Sequence, residues 1–582
     1  MRLKRLLLLS VLALFVGAPA LTASPLRELR SMWIATVFGI DWPGPNLIPA
    51  NQQKQKMTEL LDRLSEANYN AVWFQVRSMC DAMYESKYEP WASILTGNRG
   101  SVPAYDPLEF VVEECHKRGM ECHAWVNPLR FSSGGVYNTA NDQAMRNAGW
   151  LLTYGKYTVM NPALPEVRQR VVDVCRDILE NYDIDGIVFD DYFYPSGIPT
   201  DNSAEDYAQF AASGASNFGD WRRENVNKTV KAVYDMVQEV KPYAKFGIGP
   251  RGIAATVQSV ADKYGVPRCP SGSDSQYSQI FCDPLAWLSA GTIDYISPQI
   301  YWARGYSAGD FSLLCPWWSQ VVDKFGRHLY VSHSLEYFKK PHDSTKDTRE
   351  KTFAGMAAQV QMNRDETLND APGCSFYSYS CVDGTNEEED GVDFFTYIKN
   401  NKFQDKALTP CISWKEAPAQ GKVTNLRVNN GVLEWDAVDN VRYAVYLLPE
   451  GSSHDGRLLK VASNLKAHLY YNRYELPAGS ERCEAAVAIV DRYGNQYEPE
   501  WISLSNPSGI AETTDGGFRI TVTGDVAVFS SEAVAVEAYD AAGKKLAEWG
   551  ACSQVDLSGF SGVVLLRVDT GDGVVTHKTV AD

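Results

Sequence analysis

Between residues 27 and 405, short apolar or aromatic runs alternate eight times with stretches of helical periodicity. The runs are Ser31–Val37, Asn70–Arg77, Glu121–Pro128, Ile184–Asp191, Lys245–Pro250, Ile293–Trp302, His328–Ser334 and Cys374–Cys381. Each has the length and composition of a strand buried on both faces, as parallel sheets require. Helices are predicted between them. Gln52–Ala67 carries Met57, Leu60, Leu61 and Leu64 on one face, and Pro165–Tyr182 carries Val167, Val171, Val174, Ile178 and Leu179. Pro107–Arg118 ends at Gly119, Asp220–Val240 follows the fourth run, and shorter helices fill Pro284–Ser289, Pro316–Phe325, Arg349–Asn363 and Val392–Asn400. Eight such units in series, with several long strand-to-helix loops, predict an α/β fold: a (β/α)8 TIM-type barrel. An open doubly wound sheet is the alternative, but no G-x-G-x-x-G turn follows the first strand to favour it.

The pattern changes after Phe403. Residues 406–420, rich in Pro, Ala and Gly, read as a linker. Short alternating strands follow at Thr424–Val428, Val432–Trp435, Tyr443–Leu448 and Glu484–Asp491, with a tight turn at Asn429-Asn-Gly431. Residues 421–506 and 509–582 are therefore expected to form two small all-β sandwich domains, with Trp435 as a core anchor of the first. At the other end, residues 1–23 have a basic start, an apolar run from Leu6 to Val16 and small residues near Ala20 and Ala23. That is the layout of a secretory signal, too short to span a bilayer. The mature protein is expected to be exported, to the periplasm, the outer envelope or the medium, with no transmembrane segment.

Composition narrows the partners. The chain of 582 residues has a formal charge of −17, which argues against nucleic acid, whose phosphates need clustered Lys and Arg. Twelve cysteines in an exported chain permit disulfides. Cys115, Cys122 and Cys175 sit in predicted core positions; Cys269 and Cys282 bracket a polar loop and are the best candidates for a bridge. Only eight histidines occur, with neither His-Glu-x-x-His nor His-x-His among them, so neither metal nor cofactor is expected.

The chemistry gathers at strand ends, where barrels of this type carry their sites. Ile184-Asp-Gly-Ile-Val-Phe-Asp-Asp-Tyr-Phe-Tyr-Pro195 reads as a buried strand ending in two carboxylates and three aromatic rings. Rings that stack on pyranose faces beside acids that handle protons are what a sugar-cleaving site needs. Side chains alternate along a strand, so placing the branched Val188 inside the barrel turns Asp190 toward the axis and Asp191 toward the rim. Asp185 and Asp294, at strand starts, are expected on the barrel floor. Other strand ends supply Gln75 and Arg77, His123 through Asn127 to Arg130, Gln299 with Tyr301 and Trp302, Ser332 through Glu336, and Tyr377 with Tyr379.

These residues also carry a family resemblance. Arg30-Ser-Met-Trp-Ile-Ala-Thr-Val37 with Ile40-Asp-Trp-Pro43, Asn70-Ala-Val-Trp-Phe-Gln-Val-Arg77, Glu89-Pro-Trp91, Asp106-Pro-Leu108, His116 to Pro128, Asp185 to Pro195 and Asp294 to Trp302 resemble the glycoside-hydrolase-like family 10 domain of bacterial secreted and envelope proteins. The likeness runs from about Arg27 to Phe403. It implies a TIM-type barrel acting on glycans, with cell-wall glycan strands among the family's substrates. Two departures stand out. Many relatives carry a Ser-Pro-Phe-Gly type turn after the fifth strand, where this chain has Gly249-Pro-Arg-Gly252, bringing Arg251 to the site. Tyr192 stands where chitinase-type barrels carry their proton donor, which removes the usual acid of an acetamido-assisted mechanism. Residues 421–506 resemble a fibronectin type III sandwich, and 509–582 the C-terminal sandwich modules of exported Bacteroidetes proteins.

Glycoside hydrolysis needs a proton donor and a carboxylate that attacks carbon or activates water. Asp190 is the expected nucleophile or base. Asp191, Glu89 in the loop after the second strand, or Glu336 at the end of the seventh completes the pair. Asn127 and Gln299 are expected to bond sugar hydroxyl or acetamido groups, with Gln75 and His123 as further polar contacts. Arg77 and Arg130 are placed to orient carboxylates, and Arg251 is a further expected substrate contact. Trp91, Tyr192, Tyr301 and Trp302 are the expected stacking platforms. The alternative is a catalytically silent barrel that binds glycan strands as an envelope scaffold.

Overall fold

A computed structural model describes residues 24–338, 352–369, 371–383, 388–389, 391–504, 518, 520–523, 526–541, 543–571 and 573–581; the expected signal segment, residues 1–23, lies outside them. Eight parallel strands form a ring: β1 (Leu29–Ile34), β2 (Ala71–Arg77), β3 (Glu121–Val126), β4 (Gly186–Phe189), β5 (Lys245–Ile248), β6 (Tyr295–Ile296), β7 (His328–Leu329 and Val331–Ser334) and β8 (Gly373–Tyr377). The ring closes through β7. Its first segment pairs with β6 and its second with β8, the two being joined at Tyr330. At least one helix follows each strand, and the last in each unit are, in order, α1 (Ala50–Glu66), α2 (Pro107–Lys117), α3 (Pro165–Asn181), α4 (Phe218–Val240), α5 (Pro284–Ala290), α6 (Phe311–Phe325), α7 (Phe353–Glu366) and α8 (Phe394–Asn401). The architecture is the TIM-type barrel that the periodicity predicts.

Strand alternation sorts the side chains into two cores. Met32, Phe74, Ala124, Ile187, Phe189 and Phe246 point outward and pack against helical residues such as Leu61, Val111 and Ile178. Trp33, Trp73, Trp125, Val188, Tyr295 and Tyr330 fill the interior. The indole of Trp33 meets those of Trp73 and Trp125 edge-on at 4.5 and 4.8 Å. Rings of this size fit a narrow barrel only where neighbouring strands give way. A Cβ at Gly247 would lie 2.1 Å from the Tyr295 ring, and one at Gly373 2.2 Å from the Tyr330 ring. Glycine is thus required at these two strand positions by close packing.

Three local departures from the expected pattern have physical causes. β6 stops at Ile296, short of the predicted Trp302, because Pro298 has no N–H for the ladder; single bridges from Arg251 to Gln299 and from Gln299 to Ser332 continue the sheet. Helix α6 starts at Phe311 and not at Pro316: Asp310 caps it by accepting from Ser312 N, and Phe311 and Leu314 are buried by the extra turn. The loop after β3 holds a three-stranded antiparallel sheet, Arg130–Ser133, Tyr157–Met160 and Leu151–Tyr154, hinged at Gly155. Cys269 and Cys282 are both buried thiols without a bridge, and Cys269 Sγ donates to the Ser271 carbonyl.

Beyond the barrel, sheets of three and four strands between Arg427 and Ser503 enclose Leu433, Trp435, Tyr443 and Val487. A second pair of sheets, between Ile520 and Ala581, encloses Phe529, Val536 and Leu566. Residues 406–420 do not hang free. Thr409 Oγ1 donates to Glu121, and Trp414 and Lys415 bond Asp294 on the barrel floor. The first module docks there too. Glu121, fully buried, accepts from Lys245 at 2.8 Å and Arg442 at 2.6 Å. Asp185 accepts from His116, Arg492, Tyr470 Oη and Cys122 N.

Candidate active site

The carboxy-terminal mouth of the barrel is organised around Asp190, the first residue past β4. Val188 lies in the inner core and Phe189 in the outer one, so the strand's alternation turns Asp190 inward. Its carboxylate accepts from Trp125 Nε1 at 2.9 Å, from Asn127 Nδ2 at 3.2 Å and from the Tyr192 amide at 3.1 Å. Trp125 and Asn127 are two residues apart at the end of β3 and share a face, which is how one strand supplies both donors. Burial pushes the Asp190 pKa up to about 6, and the neighbouring Asp191 charge adds to the rise while Arg130 opposes it.

Asp191 faces the rim. It pairs with Arg251 at 3.3 Å and accepts from Gln299 Nε2 at 3.3 Å. Arg251 also reaches Ser275 and Ser196, so the Gly249-Pro-Arg-Gly252 turn is tied across the β4 and β5 loops. Arg130 sits beside Asp190, its guanidinium 4.4 Å from the centre of the Tyr192 ring. Tyr192 is 49% exposed, which leaves an aromatic face open next to both aspartates. Tyr301 stacks on Tyr377 at 6.0 Å and bonds Ser332 Oγ, which in turn accepts from Trp33 Nε1. Burial, then the charges of Asp191 and Glu336 among others, holds the Tyr301 hydroxyl well above the usual phenol range, so both acids lie within electrostatic reach of this ring. Glu336 itself is exposed, in the short helix Glu336–Phe338 at the end of β7. Trp302 is half-buried, its indole lying against Gly309.

Five expected site residues lie elsewhere. Glu89 is buried against Arg77 at 2.8 Å and accepts from Asn141, so its oxygens are committed away from the mouth. Arg77 is correspondingly a brace: it donates to the carbonyls of Asn127 and Pro128 and so fixes the strand end that carries Asn127. Gln75 Oε1 accepts from the Thr36 and Val37 amides and shapes the turn after β1. His123 lies in the lower barrel between Tyr295 Oη and Glu121. Trp91 is half-buried against the outer core, with a backbone bridge to Ala82.

Two features were not singled out from the sequence. Asp41 accepts from Ala35 N, Ser378 Oγ and Ser380 N, locking the exits of β1 and β8 together; its place in Ile40-Asp-Trp-Pro43 was the available signal. Tyr154 and Tyr157, each 38% exposed, line the added antiparallel sheet near Tyr192; the alternation flanking Gly155 marks them. Among the described residues no group of three or more His, Cys, Asp and Glu is placed to hold a metal ion, and no helix is long and apolar enough to cross a membrane.

A parallel barrel that brings adjacent carboxylates, amides and open aromatic faces to the carboxy ends of its strands has the build of a glycosyl hydrolase. The chain belongs to the family glycosyl hydrolase-like 10, whose model matches residues 28–348. It is 34% identical over 412 residues to glycosyl hydrolase YngK of Bacillus subtilis, covering 69% of this chain and 77% of that protein. It is 32% identical over 378 residues to glycosyl hydrolase DigH of Escherichia coli K12, covering 61% of this chain and 82% of that protein. Among solved structures it is similar to the PgaB (BpsB) glycoside hydrolase domain from Bordetella bronchiseptica, at 12% identity and a TM-score of 0.41, over 62% of this chain and 96% of that domain.

Proposed function

We propose that the protein is an exported glycoside hydrolase that cleaves O-glycosidic bonds of a bacterial glycan, peptidoglycan strands or a related amino-sugar polymer, by carboxylate catalysis. The observation that carries this is Asp190: a buried carboxyl on the barrel axis, bonded by an indole, an amide and a backbone N–H, with its pKa lifted to about 6. A group so placed meets the anomeric carbon, or the water that attacks it, from below a sugar held over Tyr192 and Tyr301. Of the remaining acids, Glu336 is the proposed proton donor to the leaving oxygen, because it is exposed at the end of β7 and its charge reaches Tyr301 at the mouth. The module at 421–506 is read as a fibronectin type III-like spacer beneath the barrel.

The test is to incubate the exported chain with peptide-stripped cell-wall glycan and a panel of polysaccharides, and to look for new reducing ends by mass spectrometry. New ends that vanish in Asp190→Asn and in Glu336→Gln support the assignment. Binding without cleavage across substrates and pH identifies the scaffold instead. Turnover retained by Glu336→Gln and lost by Asp191→Asn reassigns the donor.

A further inference from the structure

The floor of the barrel and the first β module enclose a cavity of about 370 Å³, far from the mouth. Its lining includes Lys117 and Arg118 from the end of α2, Lys406 from the connecting segment, and Lys466 and His468 from the strand Leu465–Leu469. No aspartate or glutamate lines it, in a chain whose formal charge is −17. Two of the cations are partly balanced from outside: Lys117 by Glu113 and Glu114, Arg118 by Glu114 and Asp62. The other two, Lys406 and Lys466, have no carboxylate partner among the described residues. Lys466 Nζ donates to the Ser463 carbonyl, and burial together with the cations Lys399 and Arg30 depresses the Lys406 ammonium. His468 is 7% exposed, neither of its ring nitrogens has a hydrogen-bond partner among the described residues, and its charged neighbours are Arg442, Glu121, Asp185 and Arg27.

A buried imidazole with both nitrogens unanswered, in the wall of a cavity lined by cationic side chains and by no carboxylate, is an arrangement that a negative, hydrogen-bonding ligand would stabilise. We infer that this interdomain cavity is a binding site for a phosphoryl-type oxyanion, distinct from the glycan cleft. Lys406 and Lys466 supply the charge and His468 a directional hydrogen bond. The cavity exceeds a bare phosphate, so the oxyanion is either free in the medium as a condensed phosphate or carried as an ester on a sugar.

The test is isothermal titration of the full exported chain with inorganic phosphate, pyrophosphate and glucose 6-phosphate in separate arms, at constant ionic strength set with chloride. Saturable binding at millimolar concentration or tighter is expected for at least one probe, weakened about tenfold in Lys406→Met and again in Lys466→Met, and unchanged in the exposed control Lys460→Met. Pyrophosphate alone binding identifies a free condensed phosphate; glucose 6-phosphate binding tighter than both inorganic probes identifies an ester. Thermal melts confirm that each variant is folded, and a bound probe raises the melting temperature of the parent but not of the double variant. No saturable heat with any probe, or equal affinity in the double variant, overturns the site.

Discussion

Asp185 and Asp190 stand five positions apart on one strand and face opposite fates. At the floor, Asp185 is surrounded by Arg492, His116 and Tyr470, and these partners overcome burial to drive its pKa far below the ordinary carboxylate range. At the mouth, Asp190 is bonded by neutral donors, and burial prevails, with the pKa rising to about 6. Glu121 repeats the first case with Lys245 and Arg442. The difference teaches what separates a structural acid from a reactive one in the same fold. Burial alone leaves a carboxyl with a strong affinity for its proton, and a paired cation quenches it.

The comparison breaks most visibly at its two poles. Asp190→Asn is expected to lower turnover by about a thousandfold while the fold is kept and, above pH ~6, the melting temperature rises, as measured by reducing-end release beside a thermal melt. Glu121→Ala, at the floor, is expected to do the reverse. It leaves Lys245 and Arg442 buried without their carboxylate and costs about 3–5 kcal/mol of stability by denaturant titration, while the turnover of the folded fraction stays near normal.

A pH series sharpens the contrast. The folded pKa of Asp190, at about 6, is raised above its unfolded value, so the protein is relieved of that cost below pH ~4 and bears it in full above pH ~6. Melts of Asp190→Asn and the parent are expected to diverge in favour of the variant between those limits, by up to about 3 kcal/mol. The floor acids act with the opposite sign: their depressed pKa values give stability that is present at neutral pH and lost only as pH falls below the usual carboxylate range. Trp125→Phe removes one donor to the Asp190 carboxylate and is expected to lower turnover about tenfold and move the acid limb of the pH profile upward. The smallest effect belongs to Tyr192→Ala, expected to raise KM a few-fold with kcat nearly unchanged, as the loss of one stacking face implies.

Much of this contrast was legible before any coordinates. The eight apolar runs and their helices gave the ring, and the rule that strand starts serve stability separated Asp185 and Asp294 from Asp190. Period-two alternation put Val188 inside and so turned Asp190 inward. What periodicity does not carry is pairing across loops. Glu89 lies beside Pro90 and Trp91 in a family motif and looked poised for chemistry, yet its partner Arg77 is 12 residues back and the two bury each other. His123 looked like a strand-end polar group because the strand's boundary was visible and the height of each layer in the barrel was not. Trp125 falls within the strand-end group from His123 to Asn127, and only the distance to Asp190 reveals its indole as a donor.

The shared acid Glu121 has a consequence for how the chain comes apart. Its bonds run from β3 to β5 through Lys245, to the connecting segment through Thr409 and to the β module through Arg442. A fragment ending at residue 405 would keep the whole barrel and lose two of those three anchors, together with Tyr470 and Arg492 that hold Asp185. Removal of the module would leave the buried carboxylates Glu121 and Asp185 short of the cations Arg442 and Arg492. Barrel and module are therefore expected to melt in a single transition, and the fragment ending at residue 405 at a lower temperature than the full chain.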